Sequence, residues 1–371
     1  MMRNITKSLP EWLDPSQWIS REYGSREIAA ALESESPGPG DLAALLAPDA
    51  AYSLEILAHR ARAVTRRHFG RTISLYAPLY LSNHCSSGCA YCGYASDRDQ
   101  ARRKLSLAEV RKELSALKRL GLREVLLLTG DKTPDAGYEY VEECVRLAAG
   151  MFPFVAVEVF PLTVEEYRGL VAAGCSGVTI YQETYSPADY KKYHRWGEKK
   201  NYMWRLETPD RALDAGMRWV GMGFLLGLSD PVVDSICLLR HVEYLRRKHW
   251  RAGISVSFPR LCAEKGGFKA PRPVDDKFLA RMICAFRICL PDTPLVLSTR
   301  ESARFRDGMA GIGISKMSVA SRTSVGGYAG KVRGGGEQFG VNDGRSVREF
   351  CARLKAAGLE PVFKNWDAVY R

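Results

Sequence analysis

Eight short runs of apolar and β-branched residues recur along this chain, each separated from the next by a segment with helical periodicity. They cover 72–81, 124–129, 154–159, 177–181, 219–226, 254–258, 295–298 and 314–319. Strand alternating with helix implies an α/β protein with a parallel sheet. Eight such units imply a (β/α)8 TIM-type barrel, which typically needs about 250 residues. The intervening segments carry helix signals. At 106–120, Ser106 and Glu109 form a capping box and Gly121 follows the end. At 163–173, Thr163, Glu166 and Gly174 repeat the device, and 208–215 starts with Pro209 in its first turn. Longer apolar-periodic stretches cover 230–248 and 274–290.

Helical stretches at 25–32, 41–46 and 51–67 precede the first run. The expected organisation is an N-terminal helical extension at 1–70, a barrel at 71–358, and a short C-terminal extension, a tail, at 359–371. Ser36-Pro37-Gly38-Pro39-Gly40 reads as a linker or turn, and the Gly-rich stretch 326–336 as a loop. A doubly wound open sheet is the alternative architecture.

No run of apolar residues is long enough to span a bilayer. Residues 1–20 have no apolar core of the kind a secretory signal needs, so the expected compartment is the cytoplasm. The net charge of +12 is spread along the chain, without a basic tail or an RNA-binding motif, so no nucleic-acid or membrane partner is expected.

Ten cysteines are present, and only Cys85, Cys89 and Cys92 have ligand-like spacing. Cys284 and Cys289 lie in an apolar helix and read as buried, and Cys351 stands alone. The triplet has the form C-x3-C-x2-C and follows the first run, which places it on the C-terminal rim of a barrel. Thiolates bind iron–sulfur clusters, usually four at a time. Three leave one iron of a [4Fe–4S] cluster open to a small molecule. A zinc site is the competing reading, with His84 adjacent, but structural zinc draws ligands from two knuckles and no second C-x2-C exists.

C-x3-C-x-aromatic-C, with Tyr91 as the aromatic residue, resembles the signature of the radical S-adenosylmethionine superfamily. Within it the chain resembles the tyrosine lyases of thiamine biosynthesis from about residue 70 onward. The matching segments include Tyr181-Gln182-Glu183-Thr184-Tyr185, Trp204-Arg205-Leu206-Glu207-Thr208-Pro209, Ser255-Val256-Ser257-Phe258-Pro259-Arg260 and Ser298-Thr299-Arg300-Glu301-Ser302.

The resemblance implies a [4Fe–4S] cluster on Cys85, Cys89 and Cys92, with S-adenosylmethionine chelating the open iron and yielding a 5′-deoxyadenosyl radical. It implies cofactor contacts from Tyr91, Gly130, Asp131, Gln182, Glu183, Arg205 and Gly227, with Asp131 standing where the family usually has Glu. Arg205 would pair with the methionyl carboxylate, because its planar fork suits carboxylates. A surface pair with Glu207 is its ordinary alternative. Arg300 would hold the carboxylate of an amino-acid substrate, with Ser318, Ser321 and Glu183 beside it.

The implied reaction is Cα–Cβ cleavage of L-tyrosine to 2-iminoacetate and p-cresol. The implied partners are a flavodoxin or ferredoxin reductant and a thiazole synthase. The tyrosine lyases of hydrogenase maturation and the tryptophan lyases remain alternatives, and a non-enzymatic metal-binding protein is the rival of another class. His194, His241 and His249 are assigned no role.

Overall fold

The computed structural model describes residues 10–264, 266–330 and 336–363. Part of the Gly-rich stretch, and most of the tail expected at 359–371, lie outside them, as do residues 1–9. The apolar runs form strands β1 (Thr72–Tyr80), β2 (Glu124–Leu128), β3 (Phe154–Glu158) and β4 (Gly177–Glu183). They continue as β5 (Trp219–Phe224), β6 (Gly253–Ser257), β7 (Leu295–Leu297) and β8 (Lys316–Ser318). All neighbours pair in parallel. β1 takes β2 on one flank (Ala77 opposite Val125) and β8 on the other (Leu75 opposite Met317), so the sheet closes into the expected eight-stranded barrel and the open-sheet alternative falls.

Alternation along each strand sorts side chains between two cores. Leu75, Ala77, Leu79, Val125, Leu127, Val155 and Val157 join the core between sheet and helices. Tyr76, Tyr80, Leu126, Leu128, Phe154, Ala156 and Val296 form a second cluster inside the barrel. At the N-terminal end of the interior Lys316 forms an ion pair with Glu124. Its ammonium lies 5.2 Å from the Tyr76 ring centre and 5.5 Å from that of Phe154. Trp219 donates from Nε1 to Ser255 Oγ at 3.2 Å beside them.

A helix follows each strand on the outside. The capping boxes at Ser106 and Thr163 are formed as read from the sequence. Helices Tyr138–Ala149, Ala303–Met309 and Val347–Ala356 follow β2, β7 and β8 and were not among the expected helical stretches, although Ser346 and Glu349 form a capping box before the last of them. The turn expected at Ser36–Gly40 is only half a turn. Gly38 is an N-cap, and Pro39 opens helix Pro39–Leu46, where its missing N–H has no intrahelical partner to lose. This helix and Leu54–Phe69 bury Leu42, Leu45, Leu57 and Ala61 in the same core as Met282 and Phe286.

Past the eighth unit, a ninth strand (Glu360–Val362) pairs in parallel with Thr72–Ser74, upstream of the β2 contact. The C-terminal segment is fastened by Arg306, which pairs with Asp343, and by Arg345, which bridges Asp343 (2.7 Å) and Asp307 (3.0 Å). No helix among the described residues is long and apolar enough to cross a membrane.

Candidate active site at the C-terminal rim

The loop after β1 is folded by its own polar groups. Asn83 donates to the Ala101 carbonyl at 2.8 Å and accepts the Arg103 N–H at 2.6 Å. The Arg102 guanidinium binds the carbonyls of Asn83, Tyr94 and Ala95. Gly130, just after β2, lies under this loop. A Cβ there would stand 2.2 Å from the His84 carbonyl oxygen and 2.8 Å from Cys85 Cβ, so only glycine lets the two rim segments meet.

Cys85, Cys89 and Cys92 line one cavity at the barrel mouth. Cys85 Sγ accepts the Asp131 N–H at 3.3 Å, and Cys92 Sγ accepts the Tyr94 N–H at 3.4 Å. Burial pushes the Cys85 thiol up to about 11 and that of Cys89 up to about 12. A cationic centre would favour the thiolate form of these two sulfurs. His84 is not a fourth ligand, because its Nδ1 faces Asp135 at 3.5 Å, away from the cavity.

Among the described residues, the one set of metal-ligating atoms gathered within 4.8 Å is Asp210, Asp214 and His249 on the outer surface. The Lys248 ammonium already sits there, 2.7 Å from Asp210 and 3.6 Å from Asp214. The cysteine sulfurs are spread more widely than the ligands of a single ion. Three such thiols, two of them with a backbone N–H aimed at sulfur, suit a multi-iron cluster better than zinc.

Charged groups face the cysteines across the cavity. β4 ends in a bulge, with Tyr181 opposite Gly223 and Glu183 opposite Phe224. Glu183 takes the left-handed φ of 71°. Its carboxylate accepts Lys199 Nζ at 2.6 Å and Arg205 Nη2 at 3.3 Å. Burial raises the Glu183 pKa, but Lys199 and Arg205 outweigh it and hold the group below the usual carboxylate range. Arg205 also donates from Nε to the Tyr181 carbonyl at 2.7 Å, and its pairing is with Glu183 rather than Glu207. Glu207 instead lies 3.7 Å from Arg211. Asp131 accepts the Ser87 hydroxyl and the Lys199 backbone N–H.

Tyr91 lines the cavity and donates its hydroxyl to His194 Nε2 at 2.7 Å. The direction follows from the other ring nitrogen, which is 2.7 Å from the Tyr190 carbonyl and must carry the proton. Burial holds His194 neutral, down to about 3.

A second, deeper chamber continues into the barrel, lined by Tyr76, Tyr80, Ser257, Ser318 and Ser321. Glu158 and Arg300 line both chambers. The Arg300 guanidinium lies 3.4 Å from the Phe339 ring centre and donates to the Arg260 carbonyl at 3.3 Å. Ser318 Oγ accepts the Thr299 N–H at 3.2 Å and the Ser321 hydroxyl at 3.3 Å.

The sequence matches the Radical SAM superfamily over residues 79–238 and the Biotin and Thiamin Synthesis associated domain over 257–360. It is 40% identical to the 2-iminoacetate synthase of Salmonella typhimurium over 359 residues, 96% of this chain and 95% of that one. The chain belongs to the 2-iminoacetate synthase family. The synthase of Escherichia coli is also 40% identical, over 92% of this chain and 91% of its own. A solved maturase of the [FeFe]-hydrogenase superposes with a TM-score of 0.90 at 29% identity, over 97% of this chain and 82% of that one.

In this member of the synthase family the first match spans the cysteine loop, Glu183 and Arg205, and the second spans Arg300 and Ser318. Of the residues singled out by sequence, the fold brings Cys85, Cys89, Tyr91, Cys92, Gly130, Asp131, Glu183, Arg205, Arg300, Ser318 and Ser321 to the two chambers.

Two are not brought there. Gln182 alternates with Tyr181 and Glu183, so it turns outward and its amide reaches the Tyr202 carbonyl at 3.5 Å. Gly227 lies past β5 with φ 111°, and a Cβ there would meet Leu261 and Ala270. Gly223, within β5, makes room for the Ser257 carbonyl oxygen and the Tyr181 ring, 2.6 Å and 2.9 Å from where its Cβ would be. Lys199, Glu158 and Phe339 were missed. Glu158 was findable, because it is in phase with the inward-facing Phe154 and Ala156.

Proposed function

We propose that the chain cleaves the Cα–Cβ bond of L-tyrosine to 2-iminoacetate and p-cresol, within thiamine biosynthesis, using a [4Fe–4S] cluster and S-adenosylmethionine. The observation that carries this reading is the 40% identity to 2-iminoacetate synthases over nearly the whole of both chains. The cavity is chemically suited to it. When bound, the cluster and S-adenosylmethionine supply an organic radical able to abstract hydrogen.

The protein's own part is to hold, orient and exclude water. Cys85, Cys89 and Cys92 are the cluster ligands, with the Asp131 and Tyr94 N–H groups stabilising charge on sulfur. Arg205 and Lys199, fixed by Glu183, offer cationic donors to the methionyl carboxylate. Asp131 and Gly130 form the rim turn that meets the amino group. Asp131 is one methylene shorter than Glu, and its carboxylate is held at the rim by the Ser87 hydroxyl and the Lys199 N–H. Arg300 holds the substrate carboxylate, its plane fixed on Phe339, and Ser318 with Ser321 lines the chamber that takes the side chain. A flavodoxin or ferredoxin is the proposed reductant, and a thiazole synthase the acceptor of the hydrolysable imine.

The test is anaerobic reconstitution with iron and sulfide, then dithionite, S-adenosylmethionine and either tyrosine or tryptophan. Deoxyadenosine, p-cresol and glyoxylate from tyrosine are expected. An indole product from tryptophan, with tyrosine inert, would move the chain to the tryptophan lyases.

A further inference from the structure

Two opposite charges in the cavity are left without counter-ions. Glu158 closes β3 and borders both chambers. Among the described residues no donor hydrogen-bonds its carboxylate and no cation lies within ion-pair distance. Glu183, on the next strand, has Lys199 and Arg205. Arg300 likewise has no carboxylate within 4.0 Å; it meets the Arg260 carbonyl, the Phe339 ring and the Cys262 thiol. The groups whose fields reach Glu158 are Glu183 on β4, and Arg300, Lys199 and Arg205 from the rim segments. Tyr76 and Tyr80 on β1 and Tyr181 on β4 feel its charge in turn. Burial and then Glu183 push Glu158 up to about 7, against the pull of the three cations.

An unpaired anion and an unpaired cation in one sheltered cavity are costly unless a ligand completes them. An α-amino acid carries the complementary pair on a single carbon.

We propose that Glu158 receives the α-ammonium group of the substrate while Arg300 takes its carboxylate, and that Glu158 then accepts one ammonium proton. In this step an N–H bond breaks, its electron pair stays on nitrogen, and an O–H bond forms on the Glu158 carboxylate. The products are a neutral amine and a neutral carboxylic acid, with no electron gained or lost. The neutral amine is the form whose remaining N–H bonds are open to hydrogen-atom abstraction at nitrogen. This inference rests on the reading of the chain as an amino-acid lyase and assigns the second half of its substrate recognition.

The test uses the holoenzyme with cluster and S-adenosylmethionine, kept anaerobic. Equilibrium dialysis compares L-tyrosine with 3-(4-hydroxyphenyl)propanoate, which has the same skeleton without the amine. Glu158→Gln is expected to weaken tyrosine about tenfold or more, the scale of one charged hydrogen bond, and to leave the amine-free acid within about twofold. Glu158→Asp, which keeps the charge, is expected to regain tyrosine binding relative to Glu158→Gln. Equal weakening of both ligands, unchanged tyrosine binding, or no regain in Glu158→Asp overturns the assignment. If the wild type itself holds no tyrosine, the substrate reading falls and the assignment with it. If the wild type binds tyrosine and the variant is indifferent, only the role of Glu158 falls.

Discussion

At the N-terminal end of the barrel Lys316 and Glu124 meet directly, with aromatic rings over the ammonium, so each charge has its counter-ion. At the C-terminal end the charges are spread across a cavity. Glu183 has two cations, while Glu158 and Arg300 have no counter-ion. The same barrel thus carries a closed pair at its floor and an open set at its mouth. A closed buried pair is sensitive to loss of one partner and tolerant of replacing both. An open set costs stability in the free protein and is completed by a ligand.

The sharpest test of the mouth is Cys89→Ala. Iron content, visible absorption and turnover should fall together to background. Retained activity would mean that the cysteines do not carry the reaction.

At the floor, Lys316→Met should cost about 3–5 kcal/mol by chemical denaturation, because Glu124 is left buried and unpaired, while activity per folded molecule is kept. The double variant Lys316→Met/Glu124→Leu should recover most of that loss. If it does not, the two floor charges do not act as a closed pair.

Arg300→Ala should raise the KM for tyrosine about a hundredfold without changing iron content or lowering the denaturation midpoint, the pattern of a charge that waits for a ligand. Arg300→Lys should restore little, since it lacks the planar face that stacks on Phe339.

Asp343 offers a milder test away from both ends. Burial raises its pKa, but the hydrogen bond from Arg345 and the charge of Arg306 lower it further, below its ordinary value of 3.8. A depressed folded-state pKa contributes stability that is present above that value and lost as pH falls through the lower one. Asp343→Asn should therefore lose about 2 kcal/mol at neutral pH and show a flatter acid limb in stability against pH.

The smallest effect is expected from Tyr91→Phe, about 1 kcal/mol, since it removes one neutral hydrogen bond to His194.

The barrel was legible because parallel strands buried on both faces read as near-continuous apolar runs. Helix Tyr138–Ala149 was harder, because Gly137 caps it without a Ser or Thr capping box, although Val141, Cys144, Val145 and Ala148 fall on one helical face. The cysteine loop was legible from spacing alone. Partnerships across the chain were not. Arg300 with Phe339, and Glu183 with Lys199, join residues whose proximity depends on how rim loops fold over the barrel. Gln182 shows the converse error, since a run of polar residues at a strand end looks uniformly functional until alternation turns one of them outward.

The bulge at Glu183 sets conformational ease against purpose. Its φ of 71° suits glycine, and a branched side chain would strain it further. Glu183→Gly would relax the backbone while leaving Lys199 and Arg205 without their shared carboxylate. Selection for thermal tolerance alone would pull this position toward a sturdier but disarmed protein. Any stabilised version of the fold has to keep its one uncomfortable glutamate.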